Sequence, residues 1–202
     1  MKIKSIISVG AALMLVFVAA GPLQAEAVAP DGLVKSTAAE VFEVLRGEGD
    51  TTALAALVDT KVVNHFDFGA MTRLAVGKHW RVADDMQRET LTKEFRTLLV
   101  RTYSVALKSF VDYQIDYRPV HYSSDGRQAI VQTLVSKDGG KPVQMDYRMI
   151  AYPGDWKVYD VLVGGVSLVV NYRSLFSSTV ERSGIDGLVG LLREKNAAGL
   201  TE

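Results

Sequence analysis

Trp156-Lys157-Val158-Tyr159-Asp160-Val161-Leu162-Val163-Gly164-Gly165-Val166-Ser167-Leu168-Val169-Val170-Asn171-Tyr172-Arg173-Ser174-Leu175-Phe176 is three kinds of segment in one. Trp156 and Val158 alternate with Lys157 and Tyr159, which predicts a strand. Through Val161, Leu162 and Val163 every position is apolar, as in a strand buried on both faces or lining a cavity. Gly164-Gly165 breaks the run, because glycine reaches backbone angles that other residues avoid. Ser167 is placed to cap a helix over 167–182, with Val170, Ser174 and Val180 inward and Tyr172 and Phe176 alongside. A strand end, a corner and a closing helix are thus contiguous, and the rest of the chain is expected to form walls around them.

Working back from Trp156, three more strands are expected. Val111, Tyr113, Ile115 and Tyr117 alternate with polar residues, giving a strand with one wet face. Residues 128–136 form the next, after a turn at Ser123-Ser124-Asp125-Gly126. Val143, Met145, Tyr147 and Met149 alternate with Gln144, Asp146 and Arg148 in the third. Four sequential strands joined by short turns predict an antiparallel meander.

Helices flank this block. Residues 31–46 are amphipathic, 47–50 read as a loop, and a second helix begins at Thr51 or Thr52 with Leu54, Leu57 and Val58 inward. Asp67 is an N-cap for a third, and Gly77 its left-handed C-terminal residue. Asp84 and Gln87 have capping-box spacing and open the longest helix, about 84–110, whose apolar face is wide. After residue 182, Asp186 is expected to cap a last helix over 187–195. The fold class is therefore α+β in one domain.

Residues 1–25 read as a secretory signal peptide, not as part of the fold. Lys2 and Lys4 precede an apolar run at 6–20, and Ala25 and Ala27 both end acceptable cleavage sites. The 177 residues from 26 to 202 suffice for one domain with a sizeable core. Without Lys2 and Lys4 they carry 21 Lys and Arg against 23 Asp and Glu, so no basic excess recommends nucleic acid as a partner. The chain has no Cys, and export to an oxidising compartment would go unused.

Catalytic motifs are weak. The three His, at 65, 79 and 121, have no metal-ligand spacing, and His65 and His79 read as surface or capping residues. Gly165-Val166-Ser167-Leu168-Val169 lacks the last Gly of a hydrolase elbow and follows an antiparallel strand, so Ser167 reads as a cap rather than a nucleophile. Asp160 lies inside an apolar strand and must be paired. Its two readings are a general base in a cavity, with Tyr103 or Tyr147 as donor, and a structural hydrogen bond to a backbone group or an Arg; the second is expected. What remains is surplus inward apolar surface, which is either an oversized core or the lining of a cavity.

Two blocks carry a family resemblance. One is Asn64-His65-Phe66-Asp67-Phe68 with Leu74-Ala75-Val76-Gly77-Lys78-His79-Trp80-Arg81, followed by Phe95, Leu98-Leu99 and Tyr103. The other is Tyr147-Arg148, Trp156-Lys157-Val158-Tyr159-Asp160-Val161, Gly165-Val166-Ser167-Leu168 and Asn171-Tyr172-Arg173-Ser174 with Phe176. Together, over about residues 31–196, they resemble the MlaC-like family of periplasmic phospholipid carriers, also called the toluene-tolerance family. The resemblance implies a four-stranded antiparallel sheet with N- and C-terminal helices enclosing an apolar cavity, a nuclear-transport-factor-2-like cone. It implies no catalytic activity, no cofactor and no metal. The implied function is to shuttle phospholipids between outer and inner membranes and so maintain outer-membrane lipid asymmetry. The implied partners are an inner-membrane ABC transporter complex and an outer-membrane lipoprotein–porin complex, visited by a monomer. A sister group tied to hopanoid transport shares the first block, so a carrier of hopanoid or another apolar ligand is the alternative, beside an enzyme using Asp160.

On that footing the acyl chains are expected against Leu74, Trp80, Phe95, Leu99 and Tyr103 from the helices. From the sheet the expected lining is Tyr147, Met149, Trp156, Val158, Val161 and Val163, with Val166 and Tyr172 at the corner. Gly164 and Gly165 are the expected hinge. Arg81, Arg148 and Arg173 are candidates for docking or head-group contact.

Overall fold

The computed structural model describes residues 29–46, 58–107 and 110–198. The expected signal peptide, the loop at 47–50 and the start of the second helix lie outside the described residues. Helix α1 spans Pro30–Arg46. A π turn, Val58–Val62, and a 3-10 turn, Val63–His65, lead into α2, Phe68–Val76. The Asp67 side chain accepts the Ala70 N–H at 2.8 Å, satisfying one free N–H of the first turn of α2. Gly77 closes the helix at φ 63°, where a side chain would be strained.

A 3-10 turn over Gly77–Arg81 precedes α3, Asp85–Leu107. The predicted capping box is present in both directions: the Gln87 N–H donates to Asp84 Oδ1 at 2.8 Å, and the Asp84 N–H donates to Gln87 Oε1 at 3.1 Å. The next strand begins later than the alternation suggests. The Tyr113 N–H donates to the Phe110 carbonyl at 3.0 Å and the two rings lie 4.9 Å apart, so residues 111–112 form a turn.

The four expected strands are β1 (Gln114–Tyr117), β3 (Gln128–Ser136), β4 (Val143–Tyr152) and β5 (Asp155–Val163). Two strands of two residues each, β2 (His121–Tyr122) and β6 (Val166–Ser167), complete the sheet. All pairings are antiparallel in the order β1-β3-β4-β5-β6, with β2 also beside β3. The α+β architecture is thus as the sequence predicts.

The closing helix differs from expectation. Ser167 pairs with Leu162 in the sheet, so it starts no helix. A 3-10 turn over Val170–Tyr172 comes first, then α4, Arg173–Ala198, which is two helices joined across a kink at Gly184 (φ 68°), so the expected break after residue 182 and the last helix beyond it are both present. Phe176 and Thr179 face inward, whereas Val170 and Ser174 are exposed. Asp186 caps nothing; it accepts a hydrogen bond from Gln87 Nε2 at 2.9 Å and so ties α4 to α3.

Candidate functional site

Side chains directly opposite one another across a ladder share a face of the sheet. One face carries Ala129, Met149 and Val158 in one row, Val131, Tyr147 and Val161 in the next, and Thr133, Met145 and Val163 in a third. Tyr117 of β1 extends the third row. Val158 and Val161 cannot share a face in a regular strand, because their spacing is odd. A bulge makes it possible: Arg148 pairs with Asp160, Met149 pairs with Val158, and Tyr159 is left over. The one-residue shift brings Trp156, Val158, Val161 and Val163 into one apolar cluster.

Among the described residues, only part of that face is covered. Leu33 and Val34 of α1 pack on it with Val131, Met149, Val158 and Val161, all buried. Tyr117, Met145, Tyr147, Trp156 and Val163 remain half-buried. Burial pushes the Tyr147 hydroxyl up to about 12. Tyr117, Met145 and Val163 lie toward one end of the face, where Lys35 of α1 stands over the Tyr117 ring at 5.3 Å, and Trp156 lies toward the other.

The helices form a second cluster around Ala75, Val76, Leu91, Phe95, Leu99, Val169, Phe176, Leu188 and Leu192. Phe95 stands edge-on to Tyr172 and Phe176, with ring centroids 5.1 and 5.2 Å away. Of the expected lining, Phe95 and Leu99 are buried here, and Leu74, Trp80, Tyr103 and Tyr172 pack on the cluster half-buried. Burial, and then a hydrogen bond shared with Tyr172, push the Tyr103 hydroxyl up to about 12. Twelve of the thirteen expected residues are thus divided between two clusters. Val166 is in neither; it is 58% exposed on β6. Phe66 touches both clusters, and its bridge to Val158 docks the start of α2 on β5. Met145 and Tyr117, which sequence reasoning left off the site, belong to the half-buried row; their register opposite Thr133 is the signal that finds them.

Asp160 takes the structural reading. It is 0% exposed, accepts a hydrogen bond from the Ser167 hydroxyl at 2.8 Å, and pairs with Arg148 at 3.4 Å. The Ser167 Oγ in turn accepts the Val170 N–H at 2.9 Å, so the capping role predicted for Ser167 survives on a 3-10 turn. Of the other candidate cations, Arg173 donates twice to the Leu74 carbonyl, at 3.1 and 2.7 Å, and joins α4 to α2. Arg81 is exposed. His65 does not cap: its Nδ1 is buried without a hydrogen-bond partner, and burial holds its pKa below the usual value.

An open depression of about 370 Å³ lies on the outer flank of α3, lined by Trp80, Arg88, Glu89, Thr92, Lys93 and Arg96. Arg88 lies over the Trp80 ring at 5.8 Å, and Arg96 over Phe68 at 5.9 Å. Four of its six lining residues are charged. Among the described residues no group of three or more His, Asp or Glu is arranged to hold a metal ion, and no helix is long and apolar enough to cross a membrane.

Residues 35–194 match the MlaC protein family. The toluene tolerance protein ttg2D of Pseudomonas putida is 28% identical over 128 residues, 60% of this chain and 59% of that protein. The intermembrane phospholipid transport system binding protein MlaC of Haemophilus influenzae is 21% identical over 148 residues, 72% of this chain and 69% of that protein. A solved phospholipid-binding protein from Ralstonia solanacearum, in complex with a phospholipid, superposes with a TM-score of 0.74 at 32% identity. That match covers 83% of this chain and 97% of the solved one.

Proposed function

The chain belongs to the MlaC protein family, and on that premise we propose that it is a periplasmic phospholipid carrier that moves lipid between the outer and inner membranes. The observation that carries this reading is the row of Tyr117, Met145 and Val163 with Tyr147 of the row beside it, apolar and half-buried on the inner face of the sheet. Large apolar side chains there gain by being covered, and the described residues cover them only in part, with Lys35 of α1 over the Tyr117 ring. A Ralstonia relative in complex with phospholipid is similar over most of this chain, which supports a lipid as the guest.

In this reading the acyl chains lie along that row, with Met149, Trp156, Val158 and Val161 behind them. Leu74, Tyr103 and Tyr172 form the opposing wall where the helix cluster turns toward the sheet. Gly164 and Gly165, both at positive φ, are the hinge that lets the two clusters part. Each buried CH₂ is worth about 0.8 kcal/mol, so a two-chain lipid is held off by on the order of 20 kcal/mol from standing in water. A carrier that encloses the chains removes that barrier without chemistry. Residues 1–25 direct export. Loading and unloading occur at an inner-membrane ABC transporter complex and an outer-membrane lipoprotein–porin complex, each met briefly by a monomer.

Native mass spectrometry of protein purified from cells tests the reading. One co-purifying phospholipid per chain is expected, and a hopanoid in its place would redirect it to the sister class of ligand. A chain that is empty and takes no lipid from vesicles overturns it.

A further inference from the structure

Leu168 and Val169 are neighbours in sequence but belong to different clusters. Leu168 packs on the sheet face, while Val169, 0% exposed, sits in the helix cluster. The segment from Gly164 to Arg173 is therefore the joint between the two halves of the molecule. Its backbone is held on the sheet side. β6 pairs with β5 at two positions, and two further backbone bonds, from the Leu168 N–H to the Val161 carbonyl and from the Gly164 N–H to the Gln144 carbonyl, are each 2.8 Å. Gly164 and Gly165, both at positive φ, make the two-residue turn from β5 to β6, and a Cβ at either would meet nothing within 4 Å.

Side chains hold the joint at both ends: Arg173 bonds the Leu74 carbonyl at the helix end, and a relay that begins at Arg148 holds the sheet end. Arg148, 40% exposed, pairs with Asp160, which is 0% exposed. Asp160 accepts from the Ser167 hydroxyl, and that hydroxyl accepts from the Val170 N–H. A single oxygen on the joint thus links the buried carboxylate of β5 to the first turn before α4. Pulling Ser167 away leaves a carboxylate under the surface with Arg148 alone, at 3.4 Å, as its partner.

Building on the carrier reading, we propose that Arg148, Asp160 and Ser167 form a latch across this joint that sets the rate of lipid release. They are positioning residues: they act through the seating of α4 and touch no lipid. The exposed Arg148 end gives the latch an external handle, because an anionic group on a docking partner that draws the guanidinium away weakens the hold on Asp160.

The test uses the purified chain loaded with a pyrene-labelled phosphatidylglycerol and acceptor vesicles of phosphatidylethanolamine and phosphatidylglycerol. Ser167→Ala is expected to release lipid about tenfold faster, the effect of losing one hydrogen bond to a charged group, with unchanged lipid stoichiometry. Ser167→Thr, which keeps the hydroxyl, is expected to release at the normal rate. Arg148→Gln, which leaves the joint itself intact, is expected to speed release as well, and it decides the matter if Ser167→Ala does not fold. Leu192→Val in the helix cluster serves as a control for lost stability and should leave release unchanged. Normal release from both Ser167→Ala and Arg148→Gln, or equal acceleration by Leu192→Val, overturns the latch while the carrier stands. A wild-type chain that takes up no labelled lipid overturns the carrier reading and the latch with it.

Discussion

The helix cluster and the sheet face are built from similar residues and finished differently. In the helix cluster Leu91, Phe95, Leu188 and Leu192 are all 0% exposed, and three aromatic rings interlock at its centre. On the sheet face Val131 and Met149 reach the same burial under α1, but the row from Tyr117 to Val163 does not. The first region is a closed core whose packing stabilises the fold without a guest. The second holds its largest side chains only partly covered by the described residues. Stability and capacity are thus assigned to different layers, so a change in one need not damage the other.

The strongest way to break this division is Phe95→Ala. Removing a fully enclosed ring is expected to destabilise the chain by about 3–5 kcal/mol, equally with and without lipid. Urea denaturation measures it, and a cost below about 1 kcal/mol would mean that the helix cluster is not the closed core. A smaller effect on stability is expected from Tyr147→Ala, about 1 kcal/mol in the empty chain, because the ring it removes is half-buried. Its lipid stoichiometry after incubation with vesicles should drop well below one, and retained loading would move the acyl chains off this face. The smallest effect is in alkali. Tyr103 and Tyr147 stand at about 12 in the folded chain against an ordinary value of 10.0, so the folded state holds these protons more tightly than the unfolded one. Their contribution to stability is fully present below pH 10 and is lost as the pH rises toward 12. Tyr103→Phe and Tyr147→Phe should each flatten that fall in an alkaline denaturation series, one change probing each region. A loss of stability just as steep in the double variant would remove both tyrosines from the account.

What could be read in the sequence follows the range of the forces involved. The caps at Asp67 and at Asp84 with Gln87 were legible because their hydrogen bonds close over three residues. Gly77 was legible because its φ is a property of one residue. The four expected strands showed their period, whereas β2 and β6, two residues each, are too short to have one. Ser167 shows the limit of a local signal: the hydroxyl caps as expected, but pairing with Leu162 decides the element it belongs to. The bulge at Tyr159 left a trace in the sequence, since the apolar positions change parity between Val158 and Val161. The division of the expected lining into two clusters left none, because periodicity marks which side chains point inward and not which layer they meet.

The lengths of the strands have a consequence for a chain with a partly covered apolar face. β3, β4 and β5 run nine, ten and nine residues, but the strands outside them run only four, two and two. An unpaired strand edge is a template for another chain, and the hazard grows with its length and flatness. Here one border of the sheet is divided between β1 and β2, and the other is shared by β6 and the bridge from Phe66. Two empty copies that meet find no long rail of free N–H and C=O groups along which to zip. The sheet thus keeps a broad, greasy interior while offering its neighbours almost nothing to polymerise on.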